Sequence, residues 1–355
     1  MRICHLTSAH PSNDIRIFVK ECSSLADGGY DTYLVAQGES REENGVHVVG
    51  VGDMPAGRKG RMTQFAKTVF LKAKELDCAI YHLHDPELLP YALKLKKAGK
   101  TVIFDSHEDV PGQILDKKWI PSVFRKLISN IYKSYETHVI KQIDAVVAAT
   151  PHIAEKFKSR ANAIATVNNY PKPGDIVFHE APFDERESIV CYAGGLSEDR
   201  GELIMKNAMK SVDGKLIIAG DHEKEIDGNV EYVGILDRHE VNALYGKAVA
   251  GLCILKPTAN YYYSQPIKMY EYMASGIPCV CSDFPDWHKL VKDSQCGICV
   301  DPNDNAAVAD AINFLLSNRS KAQEMGRKGH DYVLKHCTWA NEEKELLALY
   351  DRLLR

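Results

Sequence analysis

No stretch of this 355-residue chain reaches the roughly 18 consecutive apolar residues that a membrane-spanning helix requires, so none is expected. Met1 to His10 has no long apolar core of the kind a secretory leader carries, and the chain is expected to be cytoplasmic. Positive charge is not in surplus: 44 Lys and Arg stand against 48 Asp and Glu, a net charge of −4, which argues against bulk binding to nucleic acid. Short repeats and low-complexity tracts are absent. Cysteine occurs ten times but without a metal-binding rhythm. A structural zinc site favours gaps of two to four residues on both sides, whereas Cys279 and Cys281 are separated by Val280 alone and pair poorly with Cys296 and Cys299. These cysteines, like Cys191 and Cys253, lie in apolar strand-like runs and read as buried thiols of a reduced protein.

The length exceeds what one ordinary core accommodates, so two domains are expected. Strand and helix patterns alternate from the start: strands at 2–6, 32–36, 46–51, 79–83, 101–104 and 145–149, with helices at 15–28 and 87–98. Thr150-Pro151 then reads as a helix cap with a first-turn proline. Tyr170 to Ser188 interrupts the alternation with three Pro, one Gly and a run of charges. A second alternating set has strands at 189–193, 215–219, 230–233, 249–255, 277–281 and 297–300, and 338–355 is helical. The pattern predicts an α/β protein of two Rossmann-like domains with parallel sheets, at 1–175 and 189–337, joined by a linker at 176–188. Charge divides unevenly: residues 1–187 hold 25 basic and 24 acidic residues, a balance of +1, and 188–355 hold 19 and 24, a balance of −5.

The segment Pro266-Ile-Lys-Met-Tyr-Glu-Tyr-Met-Ala-Ser-Gly-Ile-Pro-Cys-Val-Cys-Ser-Asp283 carries the most chemistry. Pro266 suits a first helical turn and Gly276 a helix exit with positive φ. Ile277 to Cys281 reads as a buried parallel strand. A helix start offers free N–H groups and a partial positive charge. Lys268 adds a cation there, where helix-dipole logic alone favours an acid, and this makes sense if a phosphate docks. Glu271, one turn on, is placed to accept hydrogen bonds from hydroxyls of the same ligand, so the segment points to a nucleotide and, first of all, to nucleotide-sugar chemistry.

Residues 266–283 resemble the donor-site helix of the retaining glycosyltransferases of family 4, which have the GT-B fold: two Rossmann-like domains facing each other across a cleft. The resemblance covers nearly the whole chain. His5-Leu-Thr-Ser-Ala-His-Pro11 with Asp14-Ile-Arg-Ile-Phe18 resembles the first strand and acceptor loop of a bacterial surface-polysaccharide branch. Tyr81-His-Leu-His-Asp-Pro-Glu-Leu-Leu-Pro90, Phe104-Asp-Ser-His-Glu-Asp109, Asn169-Tyr-Pro171 and Tyr192-Ala-Gly-Gly-Leu-Ser-Glu-Asp-Arg-Gly201 resemble later segments in the same order.

The resemblance implies a role for each matching residue. Glu271 corresponds to the second of two glutamates separated by seven residues and would hold the nucleotide ribose; Tyr263 stands where the first is expected. The work of that first Glu on the sugar then falls to Ser264, Gln265 or backbone N–H groups around Pro266 and Ile267. Arg200 would meet the leaving phosphates. The family's second cation, after the first glycine of Gly194-Gly195, is replaced here by Gly195, with Lys268 or Lys256 as substitutes. Gly234 and Ile235, with Gly220, would line the base and phosphates through their backbone. His107 would bond a hydroxyl of the transferred sugar, and His10, Asn13, Asp14 and Arg16 would form the acceptor-side loop. His82 and His84 alternate on a strand before Asp85 and read as core or cleft histidines. No metal and no other cofactor is expected. The final helix is expected to cross back onto the first domain.

Two segments stand apart: Arg58 to Lys74 holds six basic residues and no acid, and Lys117 to Lys133 holds five and no acid. Met62, Phe65, Ala66, Val69, Phe70 and Ala73 recur at helical spacing within the first. Such segments either pack on their own domain or attach to an anionic membrane surface. The sequence thus predicts a metal-independent, retaining transferase using a nucleotide sugar, UDP-linked by family precedent, on a surface glycan or lipid-linked saccharide. The alternatives are a nucleotide-sugar epimerase of the same fold and a non-catalytic nucleotide-binding subunit.

Overall fold

The computed structural model describes residues 1–117, 119–172, 174–258 and 261–354. They form two compact units: Met1–Asn169 with Trp339–Arg355, and Tyr170–Thr338. The division at Asn169 and Thr338 differs by a few residues from the boundaries drawn from composition, because Tyr170 stacks edge-on against Tyr270 of the second unit.

The first unit is an eight-stranded sheet built of β1 (Arg2–Leu6), β2 (Asp31–Ala36), β3 (Arg41–Glu43), β4 (Val46–Gly50), β5 (Ile80–Leu83), β6 (Thr101–Ser106), β7 (Ala145–Ala148) and β8 (Ile164–Thr166), in the order β3-β4-β2-β1-β5-β6-β7-β8. All neighbours are parallel except β3–β4. The central strands are buried on both faces, which explains their unbroken apolar runs. The helix Trp339–Leu353 packs in this unit: Trp339 Nε1 donates to Ser24 Oγ at 2.8 Å, and Glu342 accepts from Asn168 N at 2.6 Å.

The second unit is a seven-stranded sheet of β9 (Ile189–Ala193), β10 (Lys215–Ala219), β11 (Glu225–Asp227), β12 (Val230–Gly234), β13 (Ala250–Cys253), β14 (Cys279–Ser282) and β15 (Gly297–Val300), in the order β11-β12-β10-β9-β13-β14-β15. Only β11 is antiparallel. Cys281 and Cys299 are register partners on β14 and β15, with their sulfurs 3.7 Å apart, and Cys279 Sγ lies 3.9 Å from Cys296 Sγ.

Three strands escape the sequence pattern. β3 and β11 are three-residue edge strands of sequence Arg-Glu-Glu and Glu-Ile-Asp, with no apolar alternation to announce them. β8 is equally short. The β3–β4 hairpin carries its own signal, since Asn44-Gly45 turns with φ of 51° and 71°, the positive pair that a two-residue hairpin needs. The helix expected at 15–28 spans Ile15–Asp27, but Ile15–Cys22 is wound as a wider π-helix, capped by Asp14, whose side chain accepts from Arg16 N and Ile17 N.

One buried carboxylate holds the loop after β1. Asp85 follows β5, and its Oδ2 accepts from Thr7 Oγ1 at 2.9 Å and from the N–H groups of Ser8 and Ala9. Its Oδ1 lies 3.1 Å from His10 Nδ1. Burial alone would raise this carboxyl, but His10, Ser8 and Thr7 outweigh it and hold the group at about 2. The folded value is depressed, so the stabilisation is present above the unfolded value near 4 and is lost as pH falls towards 2. Asp85→Asn should therefore lower stability at pH 7 by roughly 2 kcal/mol. In urea unfolding, the gap from the parent should hold above about pH 4 and narrow below it; parallel curves through the acid range would refute this account of Asp85.

Candidate functional site

In parallel sheets the carboxyl ends of the strands are where loops gather ligands. In the second unit β9, β10 and β12 run out into Gly194-Gly195, Gly220 and Gly234. Gly194 N donates to Ala219 O and Gly220 N to Gly234 O, both at 2.9 Å. A Cβ on Gly220 would lie 2.5 Å from Gly194 O, so at Gly220 backbone meets backbone with no room for a side chain.

Arg200 and Lys268 border Gly194-Gly195, and the Lys224 side chain lies against Gly234. Arg200 ends a single helical turn, Glu198–Arg200, capped by Ser197 Oγ. Its Nη1 donates to Gly195 O at 2.9 Å and its Nε to Tyr261 Oη at 3.3 Å. Lys268 rises from the first turn of the helix Ile267–Ser275, donates from Nζ to Tyr192 Oη at 3.1 Å, and sits 4.4 Å from that ring's centroid. Tyr192 Oη in turn donates to Gly195 O at 2.6 Å. Lys268 Nζ is the nearest atom to a Cβ built on Gly194, at 3.6 Å. Lys256, the other substitute considered from the sequence, is paired instead with Glu198 at 2.6 Å.

The helix Ile267–Ser275 has no acid in its first turn and ends at Gly276 in the left-handed region, φ 80°. It starts one residue later than the sequence suggested: Pro266 keeps an extended ψ of 118° and is the N-cap. Trp287 Nε1 donates to Ser264 O at 2.6 Å, pinning the preceding loop. Ser264 Oγ donates to Tyr261 O and so offers a ligand only its lone pairs. Gln265 is half-buried, while Ile267 is exposed, as is Ile235 beyond β12. Glu271 is 15% exposed; its Oε1 accepts from Arg238 Nη1 at 3.0 Å and its Oε2 from Tyr245 Oη at 2.9 Å.

Arg238, Tyr245, Tyr192 and Tyr261 complete this site and were missed in the sequence. Arg238 had a usable signal. It is the first residue of the helix Arg238–Lys247, which Asp237 and Glu240 close with a capping box, and a cation at that positive end is the same anomaly that singles out Lys268. The tyrosines had none, since each reads as an ordinary core aromatic.

In the first unit, His107 follows β6 and is largely buried. Its Nε2 lies 3.1 Å from Asp105 Oδ2, and its ring stands 5.3 Å from that of His10. Asp105 is fully buried and held well below the usual carboxylate range: burial opposes its charge, but Arg16, His107 and His84 prevail. Arg16 is the main correction to the expected acceptor loop. It is buried, binds both oxygens of Asp105 at 3.0–3.2 Å, donates to Val167 O at 2.7 Å and pairs with Glu21 at 3.0 Å. The Asp14 cap turns it inward, and it is part of the core. Asn13 is exposed and lines a shallow depression with Ser12, Gln37, Arg41 and Asp53.

The histidines of β1 and β5 continue inward from Asp105. Burial keeps His5, His82 and His84 low, hence neutral. Asp105 can only accept, so His84 Nδ1, 3.4 Å from Oδ2, carries the proton and leaves Nε2 to accept from His5 Nδ1 at 2.9 Å. His5 Nε2 then accepts from Tyr350 Oη at 3.0 Å, and Tyr350 Oη accepts from His82 Nδ1 at 2.8 Å. His82 Nε2 is left as a buried acceptor with no hydrogen-bond partner. One carboxylate thus fixes every tautomer in the row. His5, Glu21, His82 and His84 do converge as a metal site would, all ligand atoms lying within 4.8 Å of one another. The Arg16 guanidinium on Glu21 and the hydrogen bonds between the rings already use most of those atoms.

Comparison with known proteins identifies the family and the fold. Residues 18–169 match the family model "Glycosyltransferase Family 4" and residues 175–332 match "Glycosyl transferases group 1". The D-rhamnosyltransferase WbpZ of Pseudomonas aeruginosa is 20% identical over 92% of this chain and 90% of its own length. The alpha-maltose-1-phosphate synthase of Mycolicibacterium smegmatis is 24% identical over 54% of this chain, and the match spans only 56% of that protein. Among solved structures, the sucrose-phosphate synthase of Thermosynechococcus elongatus superposes with a TM-score of 0.80 at 16% identity, covering 100% of this chain and 99% of that one. HepE of Anabaena, solved with UDP and glucose, superposes at 0.75 with 12% identity over 99% and 100% of the two chains. With a Family 4 unit followed by a group 1 unit, this chain belongs to the glycosyltransferases of the GT-B fold.

Proposed function

We propose that this glycosyltransferase moves a sugar from a UDP-sugar to a surface glycan or lipid-linked saccharide, with retention of configuration and without a metal ion. The observation that carries the reading is the convergence on Gly194-Gly195 of Arg200 and of Lys268, which rises from the first turn of the helix Ile267–Ser275. A leaving nucleoside diphosphate gathers negative charge in the transition state, and fixed cations and N–H groups aimed at that place stabilise it most. They supply the charge a divalent ion would otherwise bring. UDP is favoured because HepE, of the same fold, was solved with UDP and with UDP-glucose. The rhamnosyltransferase relative, similar over nearly the whole chain, supports sugar transfer in general.

Glu271, steadied by Tyr245 from behind, has lone pairs left for the two hydroxyls of a ribose, and Arg238 stands beside it. His107, its Nε2–H turned to Asp105, presents Nδ1 as an acceptor for a sugar hydroxyl. The leaving phosphate oxygen would take the acceptor's proton on the face where the new bond forms.

Calorimetric titration with UDP, GDP, ADP and CMP tests the donor assignment. UDP should bind and the others should bind at least tenfold more weakly, and a different winner would reassign the base. Arg200→Ala and Lys268→Ala should each weaken UDP binding about 10- to 100-fold, the loss of one charge-assisted hydrogen bond. Glu271→Ala should weaken it about tenfold. Unchanged affinity in all three variants would remove the site.

His107→Ala should leave UDP affinity within about twofold while turnover of the UDP-sugar falls by about 100-fold or more. Turnover should also survive EDTA. A rate that collapses in chelator and returns with Mg²⁺ would overturn the metal-independent reading, and turnover of the UDP-sugar with no acceptor present would favour the epimerase.

A further inference from the structure

The apolar side chains that the first unit leaves in solvent are concentrated in one place. On the helix Ser122–Ile140, Val123, Phe124, Leu127, Ile128, Ile131 and Tyr135 are all exposed, Val123 at 78%, Phe124 at 53% and Ile131 at 61%. Positions 123, 127, 131 and 135 recur every fourth residue and 124 and 128 lie beside them, so they form one continuous stripe. Ser129, Glu136, Val139 and Ile140 are buried on the opposite face. This helix therefore packs on its unit by one side and shows an apolar side to solvent. Trp119, 64% exposed, extends the patch at its N-terminal end. Clustered exposure of this kind marks a binding surface, whereas scattered single residues need no explanation.

The rim of the patch is basic. Lys126 and Lys133 flank the stripe and are exposed. The structure also brings the two acid-free basic segments together: the Arg58 guanidinium lies 5.3 Å from the Trp119 ring centroid. Partial burial comes first among the causes that lower the Lys117 ammonium, and Arg58 and Arg61 add to it against Glu108 and Glu87. Lys118 lies outside the described residues. The neighbouring acids are largely committed elsewhere: Glu87 pairs with Arg61, Asp109 with Lys156 and Glu136 with Arg160. Asp116 is the single acid between Val110 and Tyr135. The other expected stripe is different, since Phe65, Ala66, Val69, Phe70 and Ala73 are buried and serve the core, so the apolar contact comes from Ser122–Ile140 and the 58–74 segment supplies charge.

We propose that Trp119 and the exposed face of the helix Ser122–Ile140 dock this protein on an anionic lipid surface, with the side chains of Phe124, Leu127 and Ile131 entering the headgroup boundary and Arg58, Lys126 and Lys133 meeting lipid phosphates. Charge decides between a bilayer and a second copy of the chain. A two-fold dimer through this patch would set basic rim against basic rim, whereas anionic headgroups complement both the rim and the stripe. Among the described residues no helix is long and apolar enough to cross a membrane, so the contact is peripheral. The inference rests on the first unit alone and does not depend on which nucleotide the second unit binds.

Co-sedimentation with vesicles made of equal parts phosphatidylcholine and phosphatidylglycerol tests it, with pure phosphatidylcholine vesicles as the neutral control. The full chain should pellet with the anionic vesicles and bind the neutral ones at least tenfold more weakly. The triple substitution Phe124→Ser, Leu127→Ser, Ile131→Ser should reduce binding by about tenfold or more. Lys126→Glu with Lys133→Glu should remove the preference for anionic lipid. Tryptophan emission should shift to the blue on binding, and Trp119→Phe should abolish the shift. All these side chains are exposed, so circular dichroism and Tm should be unchanged, which separates lost docking from lost folding. Failure of the parent to bind anionic vesicles, or equal binding by the triple variant, overturns the proposal. A dimer in light scattering that the triple variant dissociates, without vesicle binding, would also overturn it and assign the face to a second copy.

Discussion

The buried ionised carboxylate of Asp105 is the constraint around which the first unit is arranged. A charge at the end of β6 with no exposure is tolerable only if it is neutralised and fully hydrogen-bonded. Arg16 supplies the opposite charge in bidentate form, and this accounts for its burial and for the tight Asp14 cap that turns it inward. The pair cannot also ionise Glu21, whose carboxyl burial and the Asp105 charge push well up against the pull of Arg16. Arg16 also bonds Val167 O, so the same ion pair fixes the chain beyond β8.

Asp105 has a second consequence at the surface. Because it accepts from His84 and His107, the orientation of the protons on four ring systems follows from one charge. Tyr350, from the last helix, is the member that joins His5 to His82. The C-terminal helix is thus tied to the face that presents His107 by hydrogen bonds as well as by apolar packing. The second unit is built by other means: it brings bare backbone, Arg200 and Lys268 to the edge of the sheet.

Much of the architecture was legible because parallel strands are buried on both faces and leave unbroken apolar runs. The central strands of both sheets and the Gly276 exit follow from local chemistry. What failed to show was short, polar or long-range. β3 and β11 carry charge in place of an apolar period. Arg16 looked like a loop cation because its partner Asp105 is 89 residues away. Arg58 and Lys117 looked like separate basic segments, and only the fold sets Arg58 against Trp119. The apolar stripe of Ser122–Ile140 had a legible period, yet periodicity cannot say which of two faces a helix buries.

The two departures from the family pattern in the donor site gain a physical reading. A side chain at position 195 and Arg200 in its observed place exclude each other, because a Cβ on Gly195 would run into the Arg200 guanidinium. The absent cation at 195 is therefore the condition for Arg200 to lie across the loop and bond Gly195 O, while Lys268, steadied on the Tyr192 ring, reaches Gly194. Arg200 and Lys268 border Gly194-Gly195, arranged differently from the usual pair. At position 263, Tyr263 is exposed, and the acids nearest to it in sequence are Glu271, held by Tyr245 and Arg238, and Asp283, paired with His288. On the proposed reading, recognition of the sugar would shift from a carboxylate to neutral donors and acceptors of the loop before Ile267, which Trp287 holds in place through Ser264 O. Hydrogen bonds to neutral groups are weaker than those to a charged acceptor, so under that reading the choice of sugar would rest more heavily on the shape of the loop.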